Sequence, residues 1–207
     1  MNRRNFSREL ERIIEKQTEK PSLLLHSCCG PCSSSVLEYL VPHFHVSIFW
    51  YNPNIYPESE FHKRFDALKE LIEKMGLSDQ IGIIETQWRS EEYFSAVSGY
   101  EDEAEGGARC EKCFRLRLEE CAKTAVKLGF DYFASTLTVS RHKNAVLINA
   151  VGEQAAEKEG SVWLPSDFKK HNGENRSVEL CEIYGIYRQV YCGCKYSLLR
   201  RNNYEGT

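Results

Sequence analysis

Apolar positions along the chain follow two alternating periods. Ser22-Leu-Leu-Leu-His-Ser27 and His45-Val-Ser-Ile-Phe-Trp-Tyr51 are short, nearly continuous apolar runs, the pattern of strands buried on both faces. Ile81 to Glu85 and Phe130 to Ser135 predict two more strands, and Val162 to Leu164 a fifth. Between them, helical spacing predicts helices over Ser33 to Leu40, Glu58 to Met75, Glu91 to Val97, Cys110 to Leu128 and Lys143 to Lys158. Ser7 to Lys16 adds an opening helix and Ser177 to Tyr187 a late one. Gly129 supplies a stop after the longest helix, and Glu101 to Ala108, acidic and glycine-bearing, reads as a loop. Strands alternating with helices favour right-handed βαβ units, hence an α/β fold with a parallel sheet flanked by helices. We read residues 1–207 as a single α/β domain, with 1–20 as a helical extension and 186–207 as a cysteine-bearing segment that completes the site. In such sheets ligands bind beyond the carboxyl ends of the strands. That places the turn after Ser27 and the segment Thr136 to Lys143 at an expected active site.

Composition narrows the class. With 207 residues, 42% hydrophobic, 13 glycines and 6 prolines, the chain is sized for one well-buried domain and is not disordered in bulk. The formal net charge of -3 excludes a uniformly basic coat but allows a local basic patch. Met1 to Lys20 is charged and lacks the apolar stretch of a secretory signal, and no run of about 18 apolar residues exists, so a cytoplasmic protein with no membrane partner is expected.

Nine cysteines change the picture: Cys28, Cys29, Cys32, Cys110, Cys113, Cys121, Cys181, Cys192 and Cys194. Their odd number and close spacing in a chain of this size point to metal ligands or redox thiols rather than a disulfide scaffold. Cys28-Cys-Gly-Pro-Cys32 sets three thiols within five residues. Arg109-Cys-Glu-Lys-Cys113 places a second CxxC at a helix start, where unpaired backbone N–H groups favour thiolates. Two CxxC pairs can hold zinc or a [4Fe–4S] cluster. The adjacent Cys28 favours redox chemistry, since a closed four-thiolate zinc site leaves it without a role. Cys192-Gly-Cys194 can bind a metal jointly or form a strained, readily reduced disulfide. Cys121 and Cys181 read as core, and His26 as structural rather than ligating.

In order, the segments LLLHSCCGPCS, YNPNIYP, RCEKCFRLRLEECA, STLTVSRHKN and YRQVYCGCKYS resemble the cobalamin-independent epoxyqueuosine reductase family from about Leu23 to Leu199. The resemblance implies a nucleotide-hydrolase-like (HUP) Rossmann-type fold and a two-electron removal of the epoxide oxygen of epoxyqueuosine in tRNA. It implies a [4Fe–4S] cluster, with one additional iron as an option. Carried onto this chain, the cluster uses Cys110 and Cys113 with cysteines of the Cys28–Cys32 turn. Either Cys29 and Cys32 ligate, leaving Cys28 to a second iron or the substrate, or Cys28 and Cys29 ligate, leaving Cys32 outside. Cys192 and Cys194 hold the second iron or act as a redox-active disulfide. The electron donor is not legible.

Other residues are candidates for holding the substrate. Asn52, Pro53 and Asn54 form a turn flanked by Tyr51 and Tyr56. Thr136, Thr138 and Ser140 offer hydroxyls; Arg141, His142 and Lys143 a compact positive cluster; Asp167 a candidate proton donor beside Lys169, Lys170 and His171; Lys195, Arg200 and Arg201 a basic tail. These patches can meet a tRNA loop despite the net charge. Two alternatives stand beside this reading. One is an iron–sulfur tRNA thiolation enzyme, against which the missing SGGxDS-like pyrophosphate loop counts. The other is a zinc-stabilised nucleic-acid-binding module without catalysis.

Overall fold

The computed structural model describes residues 4–205, those after Arg200 as backbone only. Its centre is a four-stranded, all-parallel sheet in the order β3-β2-β1-β4, formed by β1 (Ser22–His26), β2 (His45–Trp50), β3 (Gly82–Glu85) and β4 (Tyr132–Ser135). Helices α2 (Gly30–Leu40) and α3 (Glu58–Lys74) make the first two crossovers. Helices α4 (Ser90–Ala96) and α5 (Ala108–Leu128) carry the chain back across to β4. This is a Rossmann-like α/β arrangement, as the alternation predicts.

The continuous apolar run of β1 has a direct cause. Leu23 and Leu25 point to one face, against Val36, Leu37, Phe61, Phe65 and Leu68 of α2 and α3. Leu24 points to the other, against Leu118, Cys121, Ala122 and Ala125 of α5 and Ile148 of α6 (Ala145–Glu159). All three leucines are fully buried, each contributing roughly 1.5–3 kcal/mol of transfer free energy. Asp131 fastens the start of β4 to β1: Ser22 donates to its Oδ2 through N (2.8 Å) and Oγ (2.7 Å), while Asp131 N donates back to Ser22 Oγ (2.9 Å).

The structure departs from the sequence expectation in five places. The fifth strand is a single parallel bridge, Phe133 with Trp163, because the next donor that would face β4, Ser166 N, turns instead to Asn149 Oδ1 at 3.0 Å. Helix α2 begins at Gly30 rather than Ser33, inside the cysteine turn. A 3-10 turn, Thr136–Val139, follows β4. The basic tail is helical, α8 (Lys195–Glu205), and α7 spans Gly173–Tyr184. Helix α1 (Phe6–Glu15) is capped by Asn5, whose side chain accepts from Arg8 N at 3.2 Å. Among the described residues no helix is long and apolar enough to cross a membrane.

Candidate active site

The strand order reverses direction between β1 and β4, the position at which parallel sheets open a crevice. The Cys28–Cys32 turn fills it. Cys29 is the N-cap of α2, and its Sγ accepts from Cys32 N at 3.4 Å. Ser33 Oγ donates to Cys29 O (2.9 Å) and lies 2.6 Å from Ser27 Oγ, so both ends of the turn are tied. The Sγ atoms of Cys28, Cys29 and Cys32 all lie within 4.8 Å of one another, and no other three potential metal ligands among the described residues come as close. Thr136 crosses from β4: its Oγ1 accepts from Cys28 N (3.2 Å) and donates to Cys28 Sγ (3.4 Å).

Hydrogen bonds from Cys29 and Cys32, then the charge of Lys143 and the Thr136 hydroxyl, outweigh burial and hold the Cys28 thiol well below its usual range. Burial pushes Cys29 up to about 12, and sharing with Cys28 and Cys29 raises Cys32. Of the trio, Cys28 is thus the thiol most readily ionised. Burial alone would lower Lys143, but the neighbouring sulfurs of Cys192, Cys28 and Cys32 outweigh it and hold it raised.

The second and third cysteine groups arrive through α5 and the C-terminal segment. Cys110, in the first turn of α5, accepts from Gly106 N at 3.2 Å. Cys113 is buried one turn on, packed with Tyr93 and Cys194; burial pushes it up to about 12. Arg117, the next position on that face, is fully buried, donates to Cys113 O (3.2 Å), and has the sulfurs of Cys113, Cys28 and Cys192 as electrostatic neighbours. Its guanidinium is where the three cysteine groups meet electrostatically. Residues 191–194 are pinned by Arg64, which donates to Cys192 O (3.1 Å) and Tyr191 O (3.3 Å) and pairs with Glu60 (2.7 Å). Tyr56 N donates to Gly193 O at 2.9 Å and Tyr191 Oη to Tyr56 O at 2.6 Å. The nine cysteines, Cys192 and Cys194 included, are free thiols.

Residues 23–200 match the family model described as epoxyqueuosine reductase QueH. The epoxyqueuosine reductase QueH of Streptococcus pyogenes serotype M1 is 44% identical over 191 residues, covering 91% of this chain and 75% of its own. That of Staphylococcus epidermidis is 40% identical, covering 95% and 86%. That of Thermotoga maritima is 37% identical, covering 87% and 92%. The chain belongs to the QueH family. The segment shared with the QueH family model contains all nine cysteines, the four strands except Ser22 at the start of β1, and both guanidiniums at the site.

Other sequence candidates divide. His26 is fully buried, with Nδ1 2.9 Å from Ser135 Oγ and Nε2 3.2 Å from Tyr51 O; burial and then Arg117 push it down to about 3, so it is a neutral structural link between three strands. Cys121 and Cys181 are core, as expected. Tyr51 donates to Glu92 (2.6 Å) and stacks on Phe49, so it packs on the sheet. Arg141 leaves the expected positive cluster to pair with Glu174 (2.8 Å). Asp167 pairs with Lys169 (2.9 Å) and lines a cavity together with Lys143 and Lys170. Lys195 lies over the rings of Tyr56 and Phe94, and Arg200 donates to Glu103 O at 2.8 Å. The Arg201 side chain lies outside the described residues.

Sequence reasoning missed three groups. Arg117 sits on the apolar stripe Cys113, Phe114, Arg117, Leu118, Cys121 of α5, and Arg64 on the stripe Phe61, Arg64, Phe65, Leu68 of α3. An arginine on a core stripe signals a buried anion or carbonyl cluster. Gln189, whose Nε2 donates to Cys29 Sγ at 2.9 Å, carries no such signal.

Proposed function

We propose that the chain reduces epoxyqueuosine to queuosine in tRNA at the Cys28–Cys32 turn, as a cytoplasmic, cobalamin-independent oxidoreductase. The observation that carries this reading is the trio of thiols within 4.8 Å at the sheet's crevice, faced by Lys143 and Arg117. Soft, buried donors compensated by fixed cations suit an iron–sulfur group, whereas hard cations such as magnesium prefer oxygen. Cys110, Cys113, Cys29 and one of Cys28 or Cys32 would hold a [4Fe–4S] cluster, with the remaining turn cysteine, Cys192 and Cys194 available to an additional iron. When bound, such a centre supplies single electrons and, at the second iron, a Lewis acid for the epoxide oxygen.

The net reaction breaks both epoxide C–O bonds, forms one C=C bond and releases the oxygen as water, consuming two electrons and two protons. The chain's own groups serve the charge and proton side of this balance. Lys143 and Arg117 offset the thiolate charge. Lys143 and Asp167 line one cavity, and on this reading they are the groups that relay protons to the turn. Cys192 and Cys194, if they cycle as a dithiol, supply an electron pair by closing a disulfide that the unidentified donor reopens. On this reading residues 186–207 complete the site, and the whole chain acts as one domain.

Anaerobically purified protein with a low-potential reductant and tRNA carrying epoxyqueuosine tests the proposal by nucleoside mass spectrometry. The expected result is loss of one oxygen from the modified nucleoside, unaffected by added cobalamin. An unchanged nucleoside with fully iron-loaded protein contradicts it.

A further inference from the structure

A cavity of about 400 Å³ is lined by Arg4, Lys143, Asn144, Asp167, Lys169 and Lys170. Three separate stretches of chain build it: the lead into α1, the start of α6, and the loop after Leu164. Lys143 joins it to the thiols, since the same ammonium feels Cys192, Cys28 and Cys32. Four cations therefore surround one carboxylate. That carboxylate, Asp167, is already taken by Lys169 at 2.9 Å. Arg4 is paired with Glu9 and Glu153 outside the cavity lining. Lys143 already faces the cysteine sulfurs, and Lys170 has no carboxylate within ion-pair distance among the described residues, so the charge left for a ligand is chiefly that of Lys170. The α6 terminus adds little, because Asn144 Oδ1 already accepts from Val146 N and Leu147 N (2.9 and 3.3 Å).

The loop carrying Lys170 is held in an unusual conformation. His171 (φ 52°) and Asn172 (φ 65°) are consecutive non-glycine residues in the left-handed region, which costs free energy and collects at functional positions. The volume lies at the small end of ligand pockets, suited to a phosphate with its sugar. A base that must reach buried thiols leaves its stack and brings its own backbone phosphate to the rim of the site. A cationic cavity connected to the thiols by one lysine lies where that phosphate arrives.

We propose that this cavity binds the backbone phosphate flanking the nucleotide presented to the thiols, with Lys143 and Lys170 as its cationic partners and Asp167 holding Lys169 against its wall. The proposal rests on the tRNA reading above and adds the point of attachment. Lys170 is exposed, so its substitution leaves the fold intact.

The test uses iron-loaded full-length protein and a fluorescent anticodon stem–loop RNA without the modification. Affinity is measured against salt for wild type, Lys170→Gln and the double variant Lys169→Gln/Lys170→Gln. The double variant is expected to bind on the order of tenfold more weakly and to lose about one unit of salt slope, with unchanged iron content and absorbance. Wild-type binding with identical affinity and slope in both variants overturns the phosphate site alone. Wild type that fails to bind the RNA at any salt overturns the tRNA reading with it. Variants that bind RNA normally but lose binding of flavin mononucleotide, used as a phosphorylated electron-carrier probe, overturn the RNA assignment and give the cavity to the carrier.

Discussion

The two cysteine-glycine turns of this chain are held in opposite ways. The Cys28–Cys32 turn is an extension of the sheet: β1 delivers it, Cys29 caps the following helix, and serine hydroxyls tie its ends. The Cys192-Gly193-Cys194 turn has no strand beneath it and is held largely by atoms it borrows from elsewhere, above all the Arg64 guanidinium on its carbonyls. The first geometry follows from the core and is as stable as the core. The second depends on polar contacts and on the small cluster of Cys194 with Tyr93, Val97 and Cys113, and so can be lost without the sheet. A rigid turn suits metal retention; a docked, separable one suits a group that exchanges electrons or closes over substrate.

This contrast is easiest to break at Arg64. Arg64→Leu leaves the half-buried Glu60 with Tyr187 as its one remaining side-chain donor among the described residues (3.1 and 3.2 Å), and costs about 2–3 kcal/mol in denaturant unfolding. Limited proteolysis is expected to cut within residues 188–200, with turnover lost. Protection equal to wild type would show that the tail is anchored otherwise.

A paired glycine experiment sharpens the comparison. A Cβ at Gly30 would sit 2.9 Å from Ala67 O and 3.1 Å from Ala67 C, backbone atoms of α3 that cannot yield without moving the helix. Gly30→Ala is expected to cost about 1–3 kcal/mol and to reduce iron retention. At Gly193 (φ 124°) a Cβ meets Arg64 Nη1 at 2.8 Å, a side-chain end that can shift. Gly193→Ala is expected to cost about 1–2 kcal/mol through its backbone angle, keep the iron and slow turnover. Equal iron loss in both variants would erase the distinction.

Smaller effects follow at the edges. Gln189→Leu removes an N–H donor to Cys29 Sγ, which favours the more negative, reduced state of a thiolate-bound centre. The potential is expected to fall by on the order of 50 mV; potentiometry with EPR reads it, and an unshifted potential removes Gln189 from the site. Asp131 tests the sheet itself. Donation from Ser22 depresses its carboxyl, so its contribution is present above the unfolded value near pH ~4 and is lost as pH falls through the folded one. The group is exposed, so Asp131→Asn is expected to cost less than about 1 kcal/mol at pH 7. Urea midpoints of variant and wild type should converge as pH falls below the unfolded value of about 4; a constant gap would mean the charge is not responsible.

Much of this was legible in the sequence, for physical reasons. Buried strands write continuous apolar runs, and the four at the sheet were readable within a residue or two. The cysteine groups declare themselves by spacing. Other features are written only in three dimensions. Val162 to Leu164 is apolar enough for a strand, yet finds one neighbour and makes one bridge. The helical tail Lys195–Glu205 has too weak an apolar face to be read, and its helix forms against the body through Tyr196 on Arg109 and Arg200 on Glu103. Arg64 and Arg117 went unread, although an arginine on a core stripe is a signal that the sequence carries. Gln189 was not, because nothing local distinguishes a glutamine that reaches a thiol from one in solvent.

The most direct measurement is iron and acid-labile sulfide per chain in anaerobically purified wild type, Cys29→Ala and Cys194→Ala. The account predicts iron and sulfide in wild type and in Cys194→Ala, the latter without turnover, and loss of both from Cys29→Ala. Zinc without sulfide in wild type, or unchanged iron and sulfide in Cys29→Ala, would contradict it.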